Sequence, residues 1–103
     1  MAYEIELVPA AKRQLKKIKS KAEKKEIASS IRGLAVEPFP AGYRRVEGLT
    51  GFWRIKSESK DYRIVYTVNE DDKQVIVARI ARRRDVYEHL ADIKAAFKVF
   101  KSR

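Results

Sequence analysis

The sequence predicts a single α+β domain over residues 1–103: a twisted antiparallel β-sheet with two N-terminal helices packed on one face and a C-terminal helix. Alternation of apolar and polar residues indicates strands at 2–8, 52–57, 62–68 and 74–80. Apolar residues at helical spacing indicate two helices between Pro9 and Pro38 and a last helix at about 86–101. A chain of 103 residues is long enough for one modest core, and no linker divides it.

Local signals set the ends of the first two helices. Pro9 is suited to the first turn of a helix, where its missing N–H is not needed. Ser20 and Glu23 have the spacing of a capping box, so a second helix is predicted to start there after a tight break. Pro38 then ends that helix.

The rest of the chain is organised around residues 48–66, GLTGFWRIKSESKDYRIVY. Two alternating segments flank a polar turn, which predicts a hairpin with Lys56 opposite Arg63 and Arg54 opposite Val65. The three cations then share one face of the sheet, and apolar side chains occupy the other. Like charges on neighbouring strands repel, so this face is either a solvated surface or a preformed anion site.

The charge balance indicates an anionic partner. The net charge is +10 and the isoelectric point is about 10.0, which favours nucleic acid first and an acidic membrane or an acidic protein next. Residues 12–25 contain eight cations and one acid, or +7, with almost no acids available for pairing within the helices. This basic stripe is either solvated surface or a surface that faces phosphates. The residues predicted to contact RNA phosphates are Lys12, Arg13, Lys16, Lys17, Lys19, Arg44, Arg45 and Arg82.

A second basic cluster, residues 82–87 (RRRDVY), follows the strand predicted at 74–80. Several cations close together suit a phosphodiester whose transition state gains negative charge. Tyr87 offers a ring on which an unstacked base can stack. A lysine crowded by arginines has its pKa lowered and can act as a general base. A non-catalytic RNA-binding face would contain the same residues, so these residues alone leave both interpretations open.

Other polar groups have more ordinary predicted roles. The acidic residues 70–72 are predicted to form a turn rather than a metal site. His89 is predicted to lie on the surface. Because the chain has one histidine and no cysteine, we expect no metal ion, and we expect no other cofactor. Alternation with the preceding valines puts Arg79 on the core face. No apolar run has the length of a signal peptide or a membrane span, so we expect a cytoplasmic protein without a membrane partner.

The order of these elements, with the runs GLTGFWRIKSESKDYRIVY and VIVARIARRRDVY, resembles the RelE toxins of bacterial and archaeal toxin–antitoxin pairs. The resemblance covers about residues 2–87, and its motifs are specific to the RelE/ParE superfamily. The full basic set resembles the ribonuclease branch, because the gyrase-poisoning branch typically lacks it. Arg54 stands where lysine is common, Ala81 replaces the usual glycine, and the helix after Tyr87 is longer than in many relatives.

The resemblance implies a toxin that inhibits translation by cleaving mRNA in the ribosomal A site, through attack of a 2′-OH. By position, Lys56 would be the general base and Arg83 would protonate the leaving oxygen. Arg63 and Arg54 would stabilise the charged phosphate, and Tyr87 would stack on or orient the substrate.

The partners implied are the ribosome, mRNA and an acidic, partly disordered antitoxin similar to RelB, joined to the toxin in a hetero-oligomer. Two alternatives remain: a ParE-like, gyrase-directed toxin on the same fold, and a non-catalytic module that binds RNA or the ribosome.

Overall fold

A computed structural model of the chain describes residues 2–88 and 90–101. Within these residues the elements are, in chain order, β1 (Glu4–Leu7), α1 (Pro9–Lys17), α2 (Lys21–Val36), β2 (Arg44–Arg45), β3 (Trp53–Lys56), β4 (Tyr62–Asn69), β5 (Gln74–Arg82) and α3 (Leu90–Lys101). The predicted α+β class is therefore confirmed. The predicted surface position of His89 lies outside the described residues.

The sheet has the strand order β1-β5-β4-β3-β2 and is mixed. Three of its pairs are antiparallel, as predicted, but β1 pairs with β5 in parallel, with Ile5 opposite Val75. A parallel pair cannot be closed by a tight turn, and here two helices and three strands separate β1 from β5. The sequence pattern of β1 indicates a strand but contains no signal for its direction.

Helices α1 and α2 cover one face of the sheet, as predicted. The predicted cap of α2 is present, because the Ser20 hydroxyl accepts a hydrogen bond from the Glu23 backbone N–H at 3.2 Å. Tyr66 is fully buried in this layer, and its hydroxyl donates to the Pro38 carbonyl at 2.6 Å, beyond the end of α2. The core between helices and sheet contains Val8, Ala11, Ile27, Ile31, Leu34, Ile55, Ile64, Tyr66, Val75 and Val77.

A β-bulge in β5 overturns the prediction for Arg79. Val65 lies opposite Arg79 but Tyr66 lies opposite Val77, so Ala78 is an extra residue in the ladder. Because side chains alternate along a strand, one extra residue moves the following side chains to the other face. Arg79 therefore shares a face with Val65 and not with the helix-covered core.

The second face of the sheet packs against α3 and against the loop residues Val46, Leu49, Phe52 and Val86. The Phe97 ring packs edge-on against Phe52, with ring centroids 5.2 Å apart, and Ile93 is buried beside them. The helix begins at Leu90, later than the predicted 86, and residues 83–88 form turns. Among the described helices none is long and apolar enough to cross a membrane.

Candidate functional site

The β3–β4 hairpin has the predicted register. Lys56 lies opposite Arg63 and Arg54 lies opposite Val65. The Ser57 N–H donates to the Tyr62 carbonyl at 3.0 Å and closes the ladder before the turn. The three cations therefore project from one face of the sheet, and this is the face that neither α1 nor α2 covers.

Arg63 is held in place by the turn of its own hairpin. Its side chain is only 8% exposed, and Nη1 donates to the Lys60 carbonyl at 2.8 Å and to the Tyr62 carbonyl at 3.3 Å. Burial lowers the pKa of Arg63, and the charges of Arg54 and Arg83 lower it further. Arginine keeps its proton nonetheless, so this position holds a fixed positive charge.

Lys56 is exposed at the edge of the group of three cations on this face. The charge of Arg63 lowers the pKa of Lys56 most, followed by burial and then by the charges of Arg54, Lys60 and Arg44. This direction confirms the effect predicted for a lysine crowded by arginines. A lowered pKa increases the neutral fraction of the amine at a given pH, and the neutral amine is the form that can accept a proton.

Arg54 lies half-buried between two neighbouring cations and an aromatic ring. Its guanidinium carbon is 5.8 Å from the centroid of the Tyr87 ring, and its backbone pairs with Arg44 of β2. Its Nη1 atom is buried and has no hydrogen-bond partner among the described residues. An unsatisfied buried donor costs about 1–3 kcal/mol, which is typical of a group arranged for a ligand rather than for stability.

The segment after β5 brings Arg83 and Tyr87 to the same region. The Arg83 N–H donates to the Asp61 carbonyl at 3.0 Å, which fixes the end of β5 against the hairpin turn. The Arg79 guanidinium donates to the backbone carbonyls of Asp85 and Glu88 and holds the following turns against the sheet. Tyr87 remains 44% exposed.

Sequence reasoning gave Arg79 no part in this site. The one feature of the sequence that could have indicated a role for Arg79 is a cation within an otherwise apolar strand. The bulge that turns Arg79 toward the site leaves no mark in the alternation of apolar and polar residues. The carbonyls that Arg79 binds belong to the turns that precede α3.

The structure separates the predicted site residues into distinct groups. Arg54, Lys56, Arg63, Arg83 and Tyr87 converge, and Arg44 and Arg45 lie exposed on β2 beside them. Among the described residues no carboxylate forms an ion pair with any cation of this group. We call these seven residues the cation cluster.

The remaining basic residues lie elsewhere. Arg82 stacks on Tyr62, with its guanidinium carbon 5.1 Å from the ring centroid, on the side of the sheet that α2 covers. The exposed cations of the first helical segment lie on that side too, where α1 packs against β1 and β5. These residues are Lys12, Arg13, Lys16, Lys17 and Lys19.

The acidic residues 70–72 form the predicted turn between β4 and β5. Glu70 accepts from the Tyr3 hydroxyl at 3.1 Å and pairs with Lys73 at 3.7 Å, and Asp72 accepts from the Asn69 amide at 3.1 Å. Across residues 2–88 and 90–101, no group of three or more histidine or acidic side chains is placed to hold a metal ion.

Comparison with known proteins identifies the family. Residues 5–87 match the family described as ParE toxin of type II toxin–antitoxin system, parDE. No curated protein matches the chain at a significant level.

Several solved structures share the fold at low sequence identity. A mutant of the Escherichia coli toxin RelE in the free state is 19% identical, covering 96% of this chain and 98% of that one, with a TM-score of 0.69. The toxin of the Mycobacterium tuberculosis RelBE2 complex is 20% identical, with coverages of 81% and 100% and a TM-score of 0.68. The match from the archaeal RelE–RelB complex of Pyrococcus horikoshii is 23% identical, with coverages of 81% and 97% and a TM-score of 0.64.

Sequence identities this low establish a common fold and no more. The family match spans most of the chain, and the family it indicates is consistent with that fold. The chain therefore belongs to the ParE toxin family of type II toxin–antitoxin systems, within the RelE/ParE superfamily.

Proposed function

We propose that this toxin is a ribosome-dependent mRNA endoribonuclease that inhibits translation and works without a metal ion. The observation that carries the proposal is the arrangement of Lys56 opposite Arg63, with Arg54 beside them and no carboxylate paired to any of the three among the described residues. Such a cluster is matched to a phosphodiester in which negative charge increases along the reaction. A lysine with a lowered pKa adds the general base that a binding surface does not need.

The proposed reaction is a transesterification. Lys56 takes the proton of a ribose 2′-OH, and the resulting oxygen attacks the adjacent phosphorus. The bond from phosphorus to the 5′-oxygen breaks, and Arg83 donates a proton to that oxygen, which as a departing alkoxide is a stronger base than a neutral guanidine. Solvent then returns a proton to Arg83 and accepts the proton held by Lys56, leaving a 2′,3′-cyclic phosphate and a 5′-hydroxyl. Arg63 and Arg54 stabilise the charge on the phosphoryl oxygens, and Tyr87 stacks on the neighbouring base.

Arg63 is the best positioned of the charge-stabilising groups. Two hydrogen bonds to backbone carbonyls fix its guanidinium before any substrate arrives. A donor that is already oriented loses little free energy in reorganisation when the transition state forms. Lys56 and Tyr87, by contrast, are exposed and have freedom to turn, so we propose that the ribosome aligns the substrate against them.

The test compares purified toxin on ribosomes that carry mRNA with the same toxin on naked mRNA. We expect cuts inside reading frames on ribosomes, and little cleavage of naked mRNA at the same toxin concentration. Cyclic phosphate at the new 3′ ends identifies the 2′-OH as nucleophile. If the toxin cleaves naked mRNA as fast as mRNA on ribosomes, the proposed dependence on the ribosome is wrong.

The second candidate is a gyrase-directed toxin, and the family match to the ParE toxin favours it. The matched assay is supercoiling by gyrase with and without the toxin. Inhibited supercoiling or broken DNA, with mRNA intact on ribosomes, would establish this alternative. If the toxin binds ribosomes but cleaves neither mRNA nor DNA, it is a non-catalytic binding module.

The exposed cations of α1 and the following loop are proposed to contact ribosomal phosphates. Binding through phosphates releases counterions, so affinity should fall steeply as salt increases. The triple variant Lys12→Glu, Lys16→Glu and Lys19→Glu should bind ribosomes more weakly and fold normally, because all three side chains are exposed. A salt-independent affinity, or a triple variant with full activity, would exclude this surface.

We also propose an antitoxin partner, consistent with the toxin–antitoxin family and with the RelB–RelE complexes among the similar structures. A net charge of +10 favours an acidic partner. Co-expression with the product of an adjacent reading frame for a small acidic protein should abolish toxicity and yield a hetero-oligomer.

A further inference from the structure

A cavity of about 400 Å³ opens beside the cation cluster, and the reaction described above places no part of the substrate in it. It lies along the outer edge of β3, between the C-terminal half of α2 and the loop that leads to β2. Its walls are formed by Ser30, Gly33, Pro40, Ala41, Gly42 and Ile55, and its remaining lining comes from Arg44, Arg54 and Lys56. The cavity thus combines small, mostly apolar walls with three cations.

The edge of β3 is open at this cavity. Strand β2 pairs only with Trp53 and Arg54, so no strand covers the two residues that follow. The Ser57 N–H donates to β4. Along an antiparallel strand, successive residues direct their backbone N–H and C=O groups alternately toward one neighbouring strand and toward the other. The backbone N–H and C=O of Lys56 therefore face away from β4, toward the open edge. One donor and one acceptor are available there for a ligand.

We infer that this cavity binds a nucleobase of the RNA strand next to the scissile phosphate, an inference that rests on the proposed function. Ligand pockets typically have apolar walls and a few polar groups that fix orientation, as this one has. A base attached to a phosphate at Lys56 and Arg54 is tethered within reach of the cavity, because both residues line it. Backbone groups and guanidinium donors can read the hydrogen-bonding edge of an unstacked base.

An acidic peptide of the antitoxin is the competing occupant, since it would also be attracted to the three cations. The base is favoured because the walls contributed by Gly33, Ala41 and Gly42 have almost no side chain, which leaves room for a flat ring against backbone. The cavity would then give the enzyme its preference among bases, whereas the cation cluster is indifferent to sequence.

Gly33 allows the cavity to be filled without disturbing the fold. It lies within α2, and a Cβ added there meets no atom within 4 Å. Gly33→Leu should fill much of the cavity, and Gly33→Ala should leave most of it open. Both substitutions replace a helical glycine, so the melting temperature should stay the same or rise by a few degrees. Ala22→Leu is the matched control, because it adds the same side chain to the same helix about three turns away.

Each protein is assayed on ribosomes that carry mRNAs in which the nucleotides flanking the cut are varied through all four bases. We expect Gly33→Leu to reduce kcat/KM at least ~10-fold for the preferred base and to flatten the preference. Ala22→Leu should behave like the wild type, and Gly33→Ala should lose less of both the rate and the preference than Gly33→Leu. A Gly33→Leu variant that keeps both the rate and the preference refutes the base pocket, even though the wild type cleaves.

Direct binding provides a readout that does not depend on cleavage. The amide NMR signals of Gly33 and Ala41 should shift on titration with the four nucleoside 3′-monophosphates, to an extent that depends on the base. Inorganic phosphate should shift the signals of the cation cluster and leave those of Gly33 and Ala41 in place. If Gly33→Leu impairs only antitoxin binding, the cavity belongs to the antitoxin and the inference is wrong. If the wild type cleaves no RNA on ribosomes, the proposed function fails and the inference fails with it.

Discussion

Replacing Arg54 with methionine should make the domain more stable and nearly inactive. Methionine keeps the apolar stem of the side chain and removes the buried Nη1 donor that has no partner among the described residues. Relief of that unsatisfied donor favours the variant by about 1–3 kcal/mol. Loss of the cation–π contact with Tyr87, at 5.8 Å, opposes it by about 0.5–1 kcal/mol.

The difference leaves a net stabilisation of about 0–2.5 kcal/mol in the free energy of unfolding, before any relief of repulsion from Arg44 and Lys56 is counted. Urea denaturation measures this quantity, and Arg13→Met is the control, since an exposed arginine on α1 should change stability by less than about 0.5 kcal/mol. Cleavage on ribosomes should fall about 100- to 1000-fold. An Arg54→Met variant that is less stable than the wild type would show that the cluster is built for stability and would refute the reasoning.

Two further predictions concern the hairpin turn. Arg63 lowers the pKa of Lys56 most and the charge of Lys60 adds to this, so Lys60→Asn should raise that pKa. The acid limb of the pH–rate profile should move to higher pH with the plateau rate unchanged, and an unmoved limb would count against Lys56 as the base. The backbone of the turn donates to the Glu26 carboxylate, and this bond lowers the pKa of Glu26. The bond therefore stabilises the fold above the ordinary pKa of glutamate and is lost as pH falls through the lower folded value. Glu26→Ala should lower the urea midpoint at pH 7, and this loss should shrink steadily as the pH falls below the ordinary pKa of glutamate, whereas a loss that does not change with pH would disprove this role.

The hairpin that carries the site could be predicted because the alternation of apolar and polar residues in each of its two strands indicates the same register. Alternation on either side of a four-residue turn allows one pairing that keeps the apolar side chains together, and this pairing puts Lys56 opposite Arg63. The helix cap at Ser20 could be predicted equally well, because a serine three residues before a glutamate is the pattern of a capping box.

The errors arose where tertiary structure overrides a local pattern. The bulge at Ala78 inserts one residue into β5 and moves Arg79 to the other face, and a count of alternating residues cannot register an insertion. Strand β2 has only two residues, both arginine, so neither alternation nor apolar content marks it. The parallel pairing of β1 depends on contacts across most of the chain, which no local signal contains.

The most direct test of the central claim is the rate at which Lys56→Arg cleaves mRNA on ribosomes in a single turnover. Arginine keeps the positive charge at this position but stays protonated at neutral pH, so it has no free lone pair with which to accept the proton of the 2′-OH. The proposed mechanism predicts that the variant binds ribosomes as the wild type does and cleaves at least about 100-fold more slowly. A variant that cleaves as fast as the wild type would show that Lys56 is not the general base and would contradict the mechanism.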